Sequence, residues 1–201
     1  MTGLVLATRN AGKIAELRRI LEVPVAGLED FPGAPEVAET EPTFEGNALL
    51  KARAIAAHTG LPAVADDSGL CVDALNGMPG VLSARWSGRF GQGDKDRANL
   101  ELVLDQLADT PDARRGAHFV CAAALVIPGG VEHCVEGRMH GRIIAAPRGE
   151  GGFGYDPVFV PDGHTRTSAE LTAEEKDAIS HRGRAFRALA EIIPGALATA
   201  R

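Results

Sequence analysis

Short apolar runs alternate with segments of helical periodicity along the first hundred residues. Leu4-Val5-Leu6-Ala7 has the unbroken apolar character of a buried strand, and the polar turn Thr8-Arg9-Asn10-Ala11-Gly12 follows it. Ile14, Leu17, Ile20 and Leu21 then recur at the spacing of one helix face. Pro24, Pro32, Pro35 and Pro42 cut residues 22–42 into short extended pieces and loops. A second helix is predicted over about 44–59, with Thr43 as N-cap and Ala48, Ala52, Ile55 and Ala56 along one face. Pro62-Ala63-Val64-Ala65 reads as a strand that ends at Asp66-Asp67-Ser68-Gly69. Gly77-Met78-Pro79-Gly80 is a turn, and Asp94 can cap a helix whose inner stripe is Leu100, Val103, Leu104 and Leu107.

The pattern changes in the second half. Ala117 to Ile127 is one long strand-like run, Pro128-Gly129-Gly130 turns it, and Val131, His133 and Val135 alternate on the return, as in a hairpin. A glycine-rich loop, Gly149 to Gly154, precedes the short strand Val158-Phe159-Val160. Thr172 and Glu175 form a capping box that opens the last helical region, which carries Ile179, Phe186, Leu189 and Ile193. One helix, or two broken near Gly183, would fit. Strand–helix units followed by a hairpin predict the α/β class: a mixed sheet flanked by helices, with two lobes and a central cleft. A single domain spanning residues 1–201 is expected.

Composition narrows what such a fold can do. Of 201 residues, 45% are apolar and 24% charged, ordinary for a chain that buries a core, and the net charge is −6. Nucleic-acid binding needs concentrated positive charge to displace counterions; with no basic run, no nucleic-acid partner is expected. A small phosphorylated ligand held by a few placed cations fits that balance. No apolar run reaches membrane-spanning length and no signal-peptide pattern opens the chain, so no membrane partner is expected and a cytoplasmic location is the default. Cys71, Cys121 and Cys134 lack metal-ligand spacing, and Cys121 reads as a small buried hydrophobe.

Five segments carry candidate chemistry. Thr8-Arg9-Asn10-Ala11-Gly12-Lys13 joins a strand to a helix, where backbone N–H groups and the helix dipole favour an anion and Lys13 adds a full charge. It is no Walker A loop, lacking the first glycine and the hydroxyl after the lysine. An exposed turn with a solvated lysine would carry the same residues. Asp66-Asp67-Ser68-Gly69 places two adjacent carboxylates where a cation or hydrogen bonds must compensate their repulsion. Hard oxygen ligands there suit magnesium; a turn cap beside a solvated aspartate is the alternative. Asn47 and Lys51, four apart on the second helix, share a face, with Glu39 or Glu45 as a further magnesium ligand. Gly151-Gly152-Phe153-Gly154-Tyr155-Asp156-Pro157 sets two aromatics in a glycine-rich loop, in a chain with one tyrosine and seven phenylalanines. An exposed ring could stack on a base, whereas buried rings would fill the core. Lys176 with Ser180-His181-Arg182 supplies donors suited to the carbonyl edge of a base.

In this order the segments resemble the inosine triphosphate pyrophosphatase family, which removes non-standard purine nucleotides such as ITP, dITP and XTP. The likeness spans residues 4–183, through 4–13, 43–52, 65–70, 151–157 and 175–183. It implies an elongated α/β fold, a Mg2+ requirement, a nucleotide substrate and a homodimer. By motif position, Thr8, Arg9, Asn10, Ala11, Gly12 and Lys13 hold the triphosphate and Lys51 assists. Asp67 is the general base or a metal-bound carboxylate, with Ser68 beside it. Phe153, Gly154, Tyr155, Asp156, Lys176, His181 and Arg182 hold the base. The family often has Glu immediately before the Asn of the second motif, but Gly46 stands there, so Glu39 becomes the candidate metal ligand alongside Asp67 and Asp66. Lys13, Lys51 and Asp67 form the expected catalytic set. Rival readings are a pyrophosphatase for pyrimidine nucleotides and a nucleotide sensor without turnover; a sugar phosphatase would carry Asp-x-Asp where Thr8-Arg9-Asn10 stands.

Overall fold

The strand-like and helical segments assemble into a mixed six-stranded sheet flanked by helices, the α/β class expected. A computed structural model describes residues 3–21, 24–90 and 93–199; Met1 and Thr2, and Glu22 and Val23 of the proline-bearing stretch, lie outside the described residues. In chain order the main elements are β1 (Leu4–Leu6), α1 (Ala11–Ile20), β2 (Val25–Ala26), α2 (Phe44–Thr59), β3 (Ala63–Val72), α3 (Lys95–Gln106), β4 (Gly116–Val126), β5 (Glu132–Ile143), β6 (Phe159–Pro161), α4 (Ala173–Ile179) and α5 (His181–Thr199). The sheet order is β2-β1-β3-β4-β5-β6. β1 runs parallel to β2 and β3, with Val5 opposite Ala26 and Ala63, and β6 runs antiparallel to β5. No described helix is long and apolar enough to cross a membrane.

Local chemistry sets most helix ends where the pattern placed them. Thr43 caps α2 by accepting the Gly46 N–H at 3.1 Å, and Asp94 caps α3 by accepting that of Arg97 at 3.0 Å. One expectation needs correction. β3 does not end at the acidic pair but continues through Asp66, Asp67 and Ser68 to Val72. A strand lying between two neighbours keeps its extended backbone through charged residues when other elements supply countercharges. Of the two alternatives for the last helical region, the two-helix one holds: the break falls at Ser180, whose backbone is extended (φ −65°, ψ 153°), and Gly183 is inside α5. Two residues of the proline-bearing stretch form β2, one of the short extended pieces expected there.

Two compact units share the chain. The first contains Met1–Asp67, Cys121–Gly137 and His181–Arg201. On one sheet face Leu4, Leu6, Val64, Cys121 and Ala123 pack with Leu17 of α1 and with Phe186, Leu189 and Ile193 of α5. On the other, Val5, Ala63, Ala65 and Ala122 pack with Ala48, Ala52 and Ile55 of α2. Burying side chains such as Phe186 and Leu189 contributes about 1.5–3 kcal/mol each. A Cβ on Gly137 would lie 2.2 Å from the His181 carbonyl oxygen, so glycine lets the start of α5 lie against β5.

The second unit contains Ser68–Val120 and Arg138–Ser180. Its core joins Leu70 and Val72 of β3, Leu100, Val103 and Leu107 of α3, and Phe119, Met139, Tyr155 and Phe159. The rings of Phe119 and Phe159 meet at 4.7 Å between centroids.

Candidate functional site

The β1–α1 turn is braced before any ligand is considered. Asn10 accepts the Lys13 N–H at 3.1 Å as the helix cap, and its own N–H donates to Thr8 Oγ1 at 3.2 Å. Arg9 donates to the Ala34 carbonyl at 2.7 Å. The first turn of α1, opened by Ala11 and Gly12, carries no acidic side chain, so its positive pole meets no acid from that turn.

Lys13 reaches from this turn to Asp66, with Nζ 2.8 Å from Oδ2. The same oxygen lies 3.5 Å from Nε of Arg182, at the start of α5. Arg182 also pairs through Nη1 with Glu16 of α1, and the Cys121 thiol lies 4.0 Å from Asp66 Oδ2. Asp66, Glu16 and Arg182 are all buried. Burial alone would raise the Asp66 pKa, but the charges of Lys13, Arg182 and Lys51 hold its carboxyl well below the usual range.

Asp67 has different partners. Its Oδ1 is 3.3 Å from Lys51 Nζ and its Oδ2 accepts from Asn47 Nδ2 at 3.1 Å, both on α2. Lys51 Nζ donates to Glu39 Oε1 at 2.9 Å, so one ammonium links two carboxylates. Glu45, the other acid considered near it, is exposed in the first turn of α2. Burial, reinforced by the charge of Glu39, outweighs Lys51 and pushes the Asp67 pKa up to about 6. Burial would lower the Lys51 pKa, yet Asp67, Asp66 and Glu39 keep it above its ordinary value. Lys51 also acts on Asp66 and Lys13 on Asp67, which makes the two lysines and the acidic pair one electrostatic cluster. Among the described residues no group of three or more His, Cys, Asp and Glu side chains is arranged to hold a metal. Asp67 and Glu39, both against Lys51, are the carboxylates with the right chemistry for magnesium, which takes one or two such ligands with water and phosphate oxygens.

The second unit gathers the aromatic loop. Ser68, next to Asp67 in β3, is half-buried in this unit. Phe153 is half-buried, with Lys176 Nζ 5.0 Å from its ring centroid. Lys176 donates to Asp156 Oδ2 at 2.8 Å, and the Phe153 N–H donates to the same oxygen at 2.9 Å. A Cβ on Gly152 (φ +70°) would lie 2.2 Å from that oxygen, so glycine is needed there. Gly154 donates its N–H to Asp96 Oδ2 at 3.0 Å. Tyr155 is buried and donates to the Ser83 carbonyl at 2.8 Å, the core role set against stacking in the sequence reading. His181, also buried, opens α5 in the first unit, where Arg182 turns to Glu16 and Asp66.

Sequence reasoning passed over two contributors. Glu16 and Asp96 carried no signal, because an acid within an amphipathic helix reads as solvated surface. Asn47 was placed on one helix face with Lys51 but given no role; the structure buries it wholly.

The sequence model of the Ham1 family matches residues 4–192. The chain belongs to the Ham1 family. This bears out the resemblance carried by the five segments. A dITP/XTP pyrophosphatase of Streptomyces coelicolor is 62% identical over 198 residues, covering 96% of this chain and 98% of that protein. Among solved structures, a HAM1 protein from Coxiella burnetii superposes with a TM-score of 0.87 at 41% identity, covering 98% of this chain and all of the other. A nucleoside-triphosphatase / dITP/XTP pyrophosphatase from Mycobacterium abscessus gives a TM-score of 0.76 at 60% identity, covering 93% of this chain and 98% of that one. The Ham1 match takes in every candidate site residue, from Thr8 to Arg182.

Proposed function

We propose that this chain is a magnesium-dependent pyrophosphatase that hydrolyses non-standard purine nucleoside triphosphates (ITP, dITP and XTP) to the monophosphate and pyrophosphate. The observation that carries the reading is the cluster of Lys13, Lys51, Asp66 and Asp67, with Glu39 on the second lysine. Paired cations beside paired acids are what a charged triphosphate with its metal requires, and the names of the relatives agree.

In this reading Asp67 and Glu39 hold magnesium. The ion, when bound, neutralises phosphate charge and polarises phosphoryl oxygens. Asp67 takes the proton of the attacking water; with its pKa pushed up only to about 6 it is largely ionised at neutral pH even before the metal binds. Lys13, Lys51 and the α1 N–H groups offset charge on the triphosphate as pyrophosphate leaves. Thr8, Arg9 and Asn10 shape that turn. Asp66, tied to Lys13 and Arg182, orients the lysine.

The base stacks on Phe153, and Lys176, beside that ring, donates to the six-position oxygen of hypoxanthine or xanthine. By motif position His181 is a further donor candidate for the base, while Arg182 serves through Asp66. Adenine presents an amine at that position and would leave donors unpaired, a mismatch of roughly 1–3 kcal/mol each. A homodimer in the cytoplasm belongs to the same proposal, on the family likeness alone.

The deciding experiment is a panel of ITP, dITP, XTP, GTP and ATP with magnesium, with released pyrophosphate measured against orthophosphate. The expected result is pyrophosphate from the first three. Orthophosphate as the product, or ATP turned over as efficiently as ITP, overturns the reading.

A further inference from the structure

Asn47 makes more contacts than a helix-surface amide needs. Its Oδ1 accepts the Glu41 N–H at 2.9 Å, and its Nδ2 donates to the Glu41 carbonyl at 3.2 Å and to Asp67 Oδ2 at 3.1 Å. One side chain thus satisfies both backbone groups of Glu41, two residues beyond Glu39, and holds an oxygen of Asp67. Asn47 is wholly buried, where each of these groups would be costly to leave unmade. The neighbouring glycine completes the arrangement: a Cβ on Gly46 would lie 2.7 Å from Glu41 Cβ and 3.0 Å from its Cγ. The space that a side chain at 46 would fill is taken by Glu41.

We propose that Asn47 is a positioning residue that sets the spacing of Glu39 and Asp67, and that Gly46 is the space this clamp requires. The inference rests on the functional reading above, in which those two carboxylates hold magnesium. Asn47 touches neither substrate nor metal. It acts by fixing the 39–41 segment to β3 and by restraining the Asp67 carboxylate, as outer partners do for metal ligands.

Two variants attack the clamp from different sides. Asn47→Ala removes the amide, whereas Gly46→Ala keeps it and pushes Glu41 outward, at a helix position where alanine is otherwise favourable. Circular dichroism and Tm report the fold; calorimetric titration of nucleotide-free protein with MnCl2 reports metal affinity; ITP turnover at saturating metal gives kcat and KM. Both variants are expected to keep their fold, to bind Mn2+ about 10- to 100-fold more weakly and to lose kcat by a similar factor, with KM for ITP within about threefold. Asn47→Asp, which keeps the acceptor for the Glu41 N–H but lacks the donor to Asp67, is expected not to rescue; if Asn47→Ala fails to fold, it and Gly46→Ala carry the test. Folded variants with Mn2+ affinity and kcat within twofold of wild type overturn the inference and leave the functional reading standing. A wild-type protein that takes up no Mn2+ overturns the inference, and one that also releases no pyrophosphate from ITP overturns both.

Discussion

Asp66 and Asp67 are consecutive residues of one strand, and their carboxylates serve opposite faces of the sheet. Side chains alternate along a strand, so Asp66 follows Val64 to the face covered by α1 and α5, where it meets Lys13 and Arg182. Asp67 follows Ala65 to the face covered by α2, where it meets Lys51 and Asn47. Their pKa values part accordingly, Asp66 held low by three cations and Asp67 raised by burial.

This division gives the two acids different mutational signatures. Asp67→Asn keeps the volume and loses the proton acceptor. Its kcat for ITP is expected to fall by about 10²- to 10⁴-fold, with nucleotide binding by equilibrium titration close to wild type. Near-normal turnover would remove Asp67 from the chemistry.

Asp66→Asn leaves Lys13 and Arg182 facing a neutral group in the interior. Removing one partner of a buried ion pair costs about 3–5 kcal/mol, so Tm should drop by roughly 10 °C in thermal melts. Because the folded carboxyl is held below its unfolded value of about 3.9, the stability it contributes is complete above that value and is lost as pH falls below it. The wild-type advantage over Asp66→Asn should therefore shrink in acid melts; an advantage unchanged down to the acid limit contradicts the pairing.

Asp67 has the opposite sign. Its folded pKa of about 6 lies above the unfolded value, so between about pH 4 and pH 6 the folded state holds a proton that the unfolded state has released, and Asp67 withdraws stability as pH rises through that window. Carboxyl-carbon NMR of the metal-free protein should give a midpoint near 6 for this group. Added magnesium should move it down, since a bound cation favours the ionised form. A midpoint that magnesium leaves in place counts against Asp67 as a ligand.

Phe153→Ala tests the base site apart from the phosphate site. Stacking on an aromatic ring is worth about 1–3 kcal/mol, so KM for ITP is expected to rise about ten- to hundredfold while kcat changes little. An effect confined to kcat would place the ring elsewhere in the reaction.

The sequence by itself determined the local features. Thr43 and Asp94 fixed the starts of α2 and α3, Thr172 with Glu175 that of α4, and the spacing of Asn47 and Lys51 put both on one helix face, because caps and periodicity depend on neighbours within a turn. The α/β class followed from the same signals. What tertiary structure decided was every relation between distant segments. Charged residues at 66 and 67 read as the end of a strand, yet lysines from α1 and α2 and an arginine from α5 supply the countercharge that lets β3 run through them. Arg182 and Asn47 received their partners in the same way, since a side chain's electrostatic environment is set by what the fold packs against it rather than by its neighbours along the chain.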